Sequence, residues 1–237
     1  MSDFAALRDE ICRVGRSLFE RGYVHATAGN ISVRLPEGAG FLVTPTDACL
    51  GFLEPARLAH VDASGAQRSG DRASKTLALH RRIYESAPEA GCVIHTHSTH
   101  LVALTLAREE APRDAAAGAT NALPDLVPPI TPYFVMKVGH VPLIPYHRPG
   151  DPAAAERVAE AITAAAARGA PLRAVMMARL GPNVWHARPA EAMATLEELE
   201  ETARLWMMCQ GLPEARRPAP LTEAQIDELR RQFGAHW

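Results

Sequence analysis

Two histidines separated by one residue, His95-Thr96-His97, are the sharpest chemical signal in the chain. On a strand, residues at i and i+2 project from the same face, so both imidazoles can approach one divalent ion. Val93-Ile94 ahead of them favours a strand, and Ser98-Thr99 after them favours a turn into a helix. The pair therefore falls at a strand's C-terminal end. The same spacing also suits one core histidine and one hydrogen-bonded at a strand end. His100 reads as helix surface or as support for a ligand. Three further segments have the chemistry of anion binding. Thr27-Ala-Gly-Asn30 is a turn of small residues that exposes backbone N–H groups beside an amide. Thr44-Pro-Thr46-Asp47 sets hydroxyls at a proline turn, where they can line an anion pocket or simply cap a strand. Ser74-Lys75 combines a hydroxyl, an ammonium and the free N–H groups of a helix start. Its plain alternative is an N-cap followed by a solvated lysine.

The elements that must position these residues follow from periodicity and turn chemistry. Leu7, Ile11, Val14, Leu18 and Phe19 recur at helical spacing, which predicts a helix from Phe4 to Gly22. Asn30–Leu35 and Gly40–Thr44 flank a Pro-Glu-Gly-Ala-Gly turn and predict a hairpin. A β segment over Ala59–Gly70 turns at Asp62–Gly65. Helices are expected at Ser74–Ser86, Thr99–Ala107, Pro152–Arg168 and Pro189–Gln210. Strands are expected at Gly91–His97, Val141–Tyr146 and Ala174–Met177. Arg113–Tyr133 reads as a loop with short helical pieces, and Thr222–Phe233 as a final helix opening on a capping box. Strands and helices without strict alternation imply an α/β fold, a sheet with helices packed on its faces. No repeat or mid-chain linker interrupts the chain, so one domain spanning residues 1–237 is expected, with a core at about 5–212 and a helical tail at 213–237.

Composition narrows the function classes. An apolar fraction of 47% over 237 residues supplies a substantial core and excludes disorder. A net charge of −2 with scattered Lys and Arg lacks the electrostatic footprint of a nucleic-acid binder. The charged N-terminal stretch and the interrupted Ala153–Ala170 run give neither a signal peptide nor a membrane span. Cys12, Cys49, Cys92 and Cys209 share no CxxC spacing, as expected of reduced thiols in a cytoplasmic protein.

Taken in order, His25-Ala-Thr-Ala-Gly-Asn-Ile-Ser-Val-Arg34, Val43-Thr-Pro-Thr46, Ser74-Lys75 ahead of Leu79-His80, and Val93-Ile-His-Thr-His97 resemble the class II aldolase/adducin family. Thr131-Pro-Tyr-Phe-Val-Met-Lys-Val-Gly139 and Pro145-Tyr-His-Arg-Pro-Gly-Asp151 resemble its 3-oxo-tetronate 4-phosphate decarboxylase branch. The resemblance covers roughly residues 5–212. It implies a three-layer α/β/α fold with a central, mostly antiparallel sheet, L-fuculose-phosphate aldolase-like, and a C4 homotetramer with sites near subunit interfaces. It implies Zn²⁺ or another divalent metal on three histidines, two of them matching His95 and His97. It places a sugar-phosphate substrate's phosphate on Gly29, Asn30, Thr44, Thr46 and Ser74, with Lys75 matching the decarboxylase branch.

Two positions depart from the pattern. Thr76 stands where the family carries its acid/base glutamate, and Leu180 where it carries its third metal histidine. His186 and His147 are the candidate substitutes, with His25 and His140 behind them. Retro-aldol cleavage needs a base for the hydroxyl proton, whereas a β-keto acid loses CO₂ without one. The implied activity is therefore a carbon–carbon lyase giving dihydroxyacetone phosphate and CO₂. Two alternatives stay open: an enzyme of the same fold with a changed reaction or metal use, and a non-catalytic, adducin-like binding module.

Overall fold

The computed structural model describes residues 4–107 and 123–237. Along the chain the elements are α1 (Ala5–Glu20), β1 (Asn30–Arg34), β2 (Phe41–Val43), β3 (Ala59–Val61), β4 (Gln67–Ser69), α2 (Leu77–Ser86), β5 (Cys92–His95) and α3 (Thr99–Leu106). A π-helical turn (Phe134–Val138), β6 (Leu143–Ile144), α4 (Pro152–Ala167), β7 (Ala174–Met177), β8 (Gly181–His186), α5 (Pro189–Gln210) and α6 (Glu223–Phe233) follow. The strands form one sheet in the order β4-β3-β2-β1-β5-β8-β7-β6. Every pairing is antiparallel except the outermost, β6 with β7. The expected three-layer arrangement with a mostly antiparallel sheet is what the chain adopts.

Period-2 alternation divides the apolar residues between two cores. Cys92 and Ile94 of β5, Ile31 and Val33 of β1, and Val184 of β8 pack with Ile11, Leu101, Leu196 and Leu199 from α1, α3 and α5. Val93, Val175 and Trp185 point the other way, onto Ile83 and Tyr84 of α2 and Val158 and Ile162 of α4. Local chemistry sets where helices begin. Pro152 opens α4 behind Asp151, whose carboxylate accepts from the Ala153 N–H. Thr222 and Gln225 close the expected capping box at α6.

The sequence reading missed β8. Gly181-Pro182-Asn183 has poor strand chemistry, and a proline normally argues against a central strand. Tertiary pairing prevails, because β5 and β7 hold β8 from both sides. Pro182 still contributes its carbonyl, which accepts from the Thr96 N–H at 3.4 Å. β6 is shorter than expected, two residues instead of six. Of the expected loop over Arg113–Tyr133, residues 113–122 lie outside the described ones. The remainder runs as irregular backbone, with a bridge from Asp125 to Pro142, into the π-helical turn. No helix of the described residues is long and apolar enough to cross a membrane. All four cysteines are unpaired, and Cys92 is buried.

Candidate active site

β5 is the hinge of the site. Its last residue, His95, pairs with Asn30 of β1 on one side and with Asn183 of β8 on the other. Directly opposed residues share a face, so Asn30, His95 and Asn183 form a row across three strands. Ser32 and Trp185, two residues along, face α2 and α4, which puts the row on that side of the sheet. The strand ends at His95, and His97 lies just beyond it rather than on it. Their rings nonetheless meet, with centroids 5.0 Å apart. His95 Nδ1 lies 2.8 Å from the Pro182 carbonyl oxygen. A carbonyl only accepts, so Nδ1 carries the proton and Nε2 keeps its lone pair. Burial, then the neighbouring His97, pushes His95 down to about 4. Burial, then His25, lowers His97 as well. Both rings are neutral at pH 7, the state that ligates metal.

The three anion-type segments converge beside this row. β1 and β2 are neighbours, and the Thr44 hydroxyl accepts from the Ile31 N–H at 3.1 Å, leaving its own proton to donate. The Ser74 N–H donates to the Thr44 carbonyl at 3.2 Å, and Pro45 bridges Ala73. Thr46 is held by its N–H on the Arg72 carbonyl at 2.8 Å. Gly29 fits because nothing larger can: its φ is +83°, and a Cβ there would sit 2.8 Å from the His95 carbonyl oxygen. Lys75 is exposed in the turn ahead of α2, and Thr76 is the residue before the helix, which begins at Leu77 rather than at the expected Ser74. The Thr76 carbonyl accepts from the His80 N–H, so these two residues lie one turn apart on α2. His80 is fully buried, with Nδ1 2.7 Å from Ser32 Oγ, and burial pushes it down to about 3.

The model of the class II aldolase and adducin N-terminal domain matches residues 9–207. The chain belongs to the class II aldolase and adducin family. It is 52% identical, over the full length of both proteins, to the 3-oxo-tetronate 4-phosphate decarboxylase of Cupriavidus necator. The crystal structure of YgbL from Escherichia coli superposes with a TM-score of 0.79 at 38% identity, covering 95% of this chain and 98% of that one. The L-fuculose-1-phosphate aldolase of Thermus thermophilus shares the fold, with a TM-score of 0.69 at 24% identity over 88% of this chain and 98% of its own. As a member with decarboxylases as full-length relatives, the chain is an enzyme of the lyase type.

Class II aldolases generally use a divalent metal, and the donors present meet that need in part. His95 and His97 have the spacing, neutrality and free lone pair for two corners. Leu180 lies in the turn between β7 and β8, partly buried against the α2/α4 core, and has nothing to donate. His186 sits at the far end of β8, opposite Cys92. At about 3.3 Å per residue it is roughly 10 Å from the His95 row, with Nδ1 2.7 Å from a Glu191 oxygen. His147 follows β6, three strands and roughly 14 Å across the sheet, and its Nδ1 is on the Pro145 carbonyl. His140 pairs with Asp125 and stacks on Trp237, where it lines a cleft of about 610 Å³ at the N-terminal ends of β6 and β7. Among the described residues no three His, Cys, Asp or Glu side chains lie close enough together to hold an ion.

Three site residues escaped the sequence reading or were undervalued by it. Asn183 is fully buried, and both amide atoms lack a partner among the described residues. His80 Nε2 and Asn30 Oδ1 share that condition. His25 lies edge-on to His97, centroids 6.3 Å apart. His25 stands five residues ahead of Asn30, and only the pairing of β1 with β5 brings it to His97. Asn183 had none until β8 was known to be a strand.

Proposed function

We propose that the chain decarboxylates a phosphorylated 3-oxo sugar acid of four carbons, as its relatives are named for, giving dihydroxyacetone phosphate and CO₂. The observation that carries this reading is the convergence of three sequence-distant turns beside His95. The Gly29-Asn30, Thr44–Thr46 and Ser74-Lys75 segments bring hydroxyls, an amide, an ammonium and a helix N-terminus to one place. Such a set suits a phosphate dianion. His95 and His97 would hold a divalent ion, which supplies electrophilic stabilisation of the ketone oxygen next to the breaking bond.

The chain's own residues decide which bond breaks. In the substrate the C1–C2 bond is cleaved, its electron pair passes to C2 and the C3 carbonyl, and C1 departs as CO₂. A proton added at C2 completes dihydroxyacetone phosphate. No group need remove a proton first, since the carboxylate is already ionised. Aldol cleavage needs a base, and the Thr76 hydroxyl does not serve as one at neutral pH. His80 is one turn further on but fully buried, and burial holds its ring neutral and only weakly basic, so it neither takes up nor supplies the proton. Solvent therefore delivers the C2 proton. The same reading has the chain act as a single domain in a cytoplasmic homotetramer.

The test is CO₂ release from 3-oxo-tetronate 4-phosphate, compared with its unphosphorylated form and with a 2-ketose 1-phosphate. Decarboxylation of the phosphorylated acid alone is expected. Aldol cleavage without decarboxylation would overturn the proposal.

A further inference from the structure

Unpartnered polar atoms inside this protein gather in one layer. Among the described residues, Asn30 Oδ1, His80 Nε2, Trp185 Nε1 and both amide atoms of Asn183 are buried without a hydrogen-bond partner. Glu191 Oε2 and Glu197 Oε1 are enclosed too, but each has a charge partner at 2.7 Å, His186 and Arg21. The first group lies between the sheet and the α2/α4 layer. Asn30, Asn183 and Trp185 share the face that carries Ser32, and His80 comes down onto that face from α2. Native interiors leave few such atoms unpaired, and where they cluster, enclosed water supplies the missing bonds.

Hydrogen-bond direction fixes what the layer needs. The Tyr84 hydroxyl donates to the Ser32 carbonyl at 2.8 Å, so its oxygen takes the Ser32 proton at 2.9 Å. Ser32 Oγ then accepts from His80 Nδ1 at 2.7 Å, which leaves His80 Nε2 with a lone pair. Asn30 Oδ1 and Asn183 Oδ1 accept as well, whereas Asn183 Nδ2 and Trp185 Nε1 donate. An ion of either sign would satisfy only one of these sets, and water satisfies both. His80 and Asn183 are fully enclosed, while His95 and Asn30 keep 4% and 7% of their surface exposed. The open edge of the layer is therefore the row beside which the anion-type segments meet. We propose that the layer holds about two ordered waters, at about three bonds each, and that one of them protonates C2 after CO₂ leaves. This rests on the decarboxylation reading. The electron pair of the broken C1–C2 bond, shared by C2 and the C3 carbonyl, takes a proton from that water. The hydroxide left behind is reprotonated by solvent at the open edge. Asn183 and His80 position the water and exchange no proton themselves. Because the water reaches C2 from one side, the new C–H bond has one handedness.

Two measurements test this. A high-resolution crystal structure of the wild type is expected to show ordered water bonded to the Asn183 amide and to His80 Nε2. A dry layer would overturn the proposal. The reaction is also run in D₂O, and the CHD–OH carbon of the product is analysed with an enzyme that exchanges only one of its two hydrogens. The wild type is expected to give a single hand. Asn183→Val is expected to give both hands in comparable amounts, with slower CO₂ release. Asn183→Ser, which keeps a donor and an acceptor, is expected to restore the single hand. His80→Leu makes the same test from the α2 side should Asn183→Val fail to fold. Both hands from the wild type, or a single hand from folded Asn183→Val and His80→Leu, would remove the water as the proton source. CO₂ release keeps the two proposals apart. No CO₂ from a wild type whose layer is hydrated removes the reaction and the proton role, and leaves the water site in place.

Discussion

Asn183 places a full amide at 0% exposure next to His95 with neither atom partnered among the described residues. Burying such a group costs about 1–3 kcal/mol, and its position opposite His95 gives a reason for tolerating that cost. Asn183→Val is expected to raise stability by about 1 kcal/mol and to lower kcat/KM at least about tenfold, read by thermal unfolding and CO₂ release. Unchanged activity would make Asn183 a packing residue only. Lys75 bears on a different parameter. Lys75 is exposed, and on the proposed phosphate role Lys75→Ala is expected to raise KM for the phosphorylated acid by about tenfold with little change in kcat. His80 sets an acid limit. It is held neutral at about 3 against the usual 6.5, so the fold excludes a proton that the unfolded chain binds. The stability this contributes is complete above pH 6.5 and is lost as pH falls toward 3, at up to about 1.4 kcal/mol per pH unit. His80→Gln should flatten that slope in pH-resolved denaturant unfolding; an unaltered slope would remove His80 as its source.

The site depends on close approaches between elements. The turn before β1 rests on the β5 carbonyl at His95, and that contact requires a glycine at position 29 both for its φ of +83° and for space. Gly29→Ala is expected to destabilise by about 2–3 kcal/mol, and to reduce activity even where the protein remains folded, because the turn carries His25 and Asn30. A melting temperature equal to wild type would show that the turn yields freely. Gly181 makes the matching contact on the other side, where a Cβ would collide with the Thr96 carbonyl oxygen. Those two approaches hold β1 and β8 against the end of β5, so the pair of histidines is set by backbone packing rather than by the loop that follows it.

For the whole molecule, the sheet order carries the chemistry. β1, β5 and β8 are far apart in sequence yet adjacent in the sheet, and each contributes one residue to the row through His95. Large apolar side chains also remain outside the cores, among them Phe52, Tyr133, Met208 and Phe233. A homotetramer would give such residues partners. Light scattering after size exclusion is expected to give four times the 25.6 kDa mass of one chain, and a single-chain mass would remove assembly from the account.

Local patterning was enough for the helices, the β1–β2 hairpin and the HxH pair, because amphipathic period, turn residues and motif spacing act over a few positions. The family followed from motif order, and with it the segments that converge beside His95. β8 was not legible: glycine, proline and asparagine have no strand preference of their own, and only pairing with β5 and β7 makes them one. From that single element follow the burial of Asn183, the Pro182 carbonyl that orients His95, and the removal of His186 to the opposite end of the sheet. The proximity of His25 to His97 was likewise decided by tertiary structure, since a sequence separation of this size carries no direction. Side-chain chemistry is written residue by residue, but which side chains share a site depends on strand register, and register is a property of the assembled sheet.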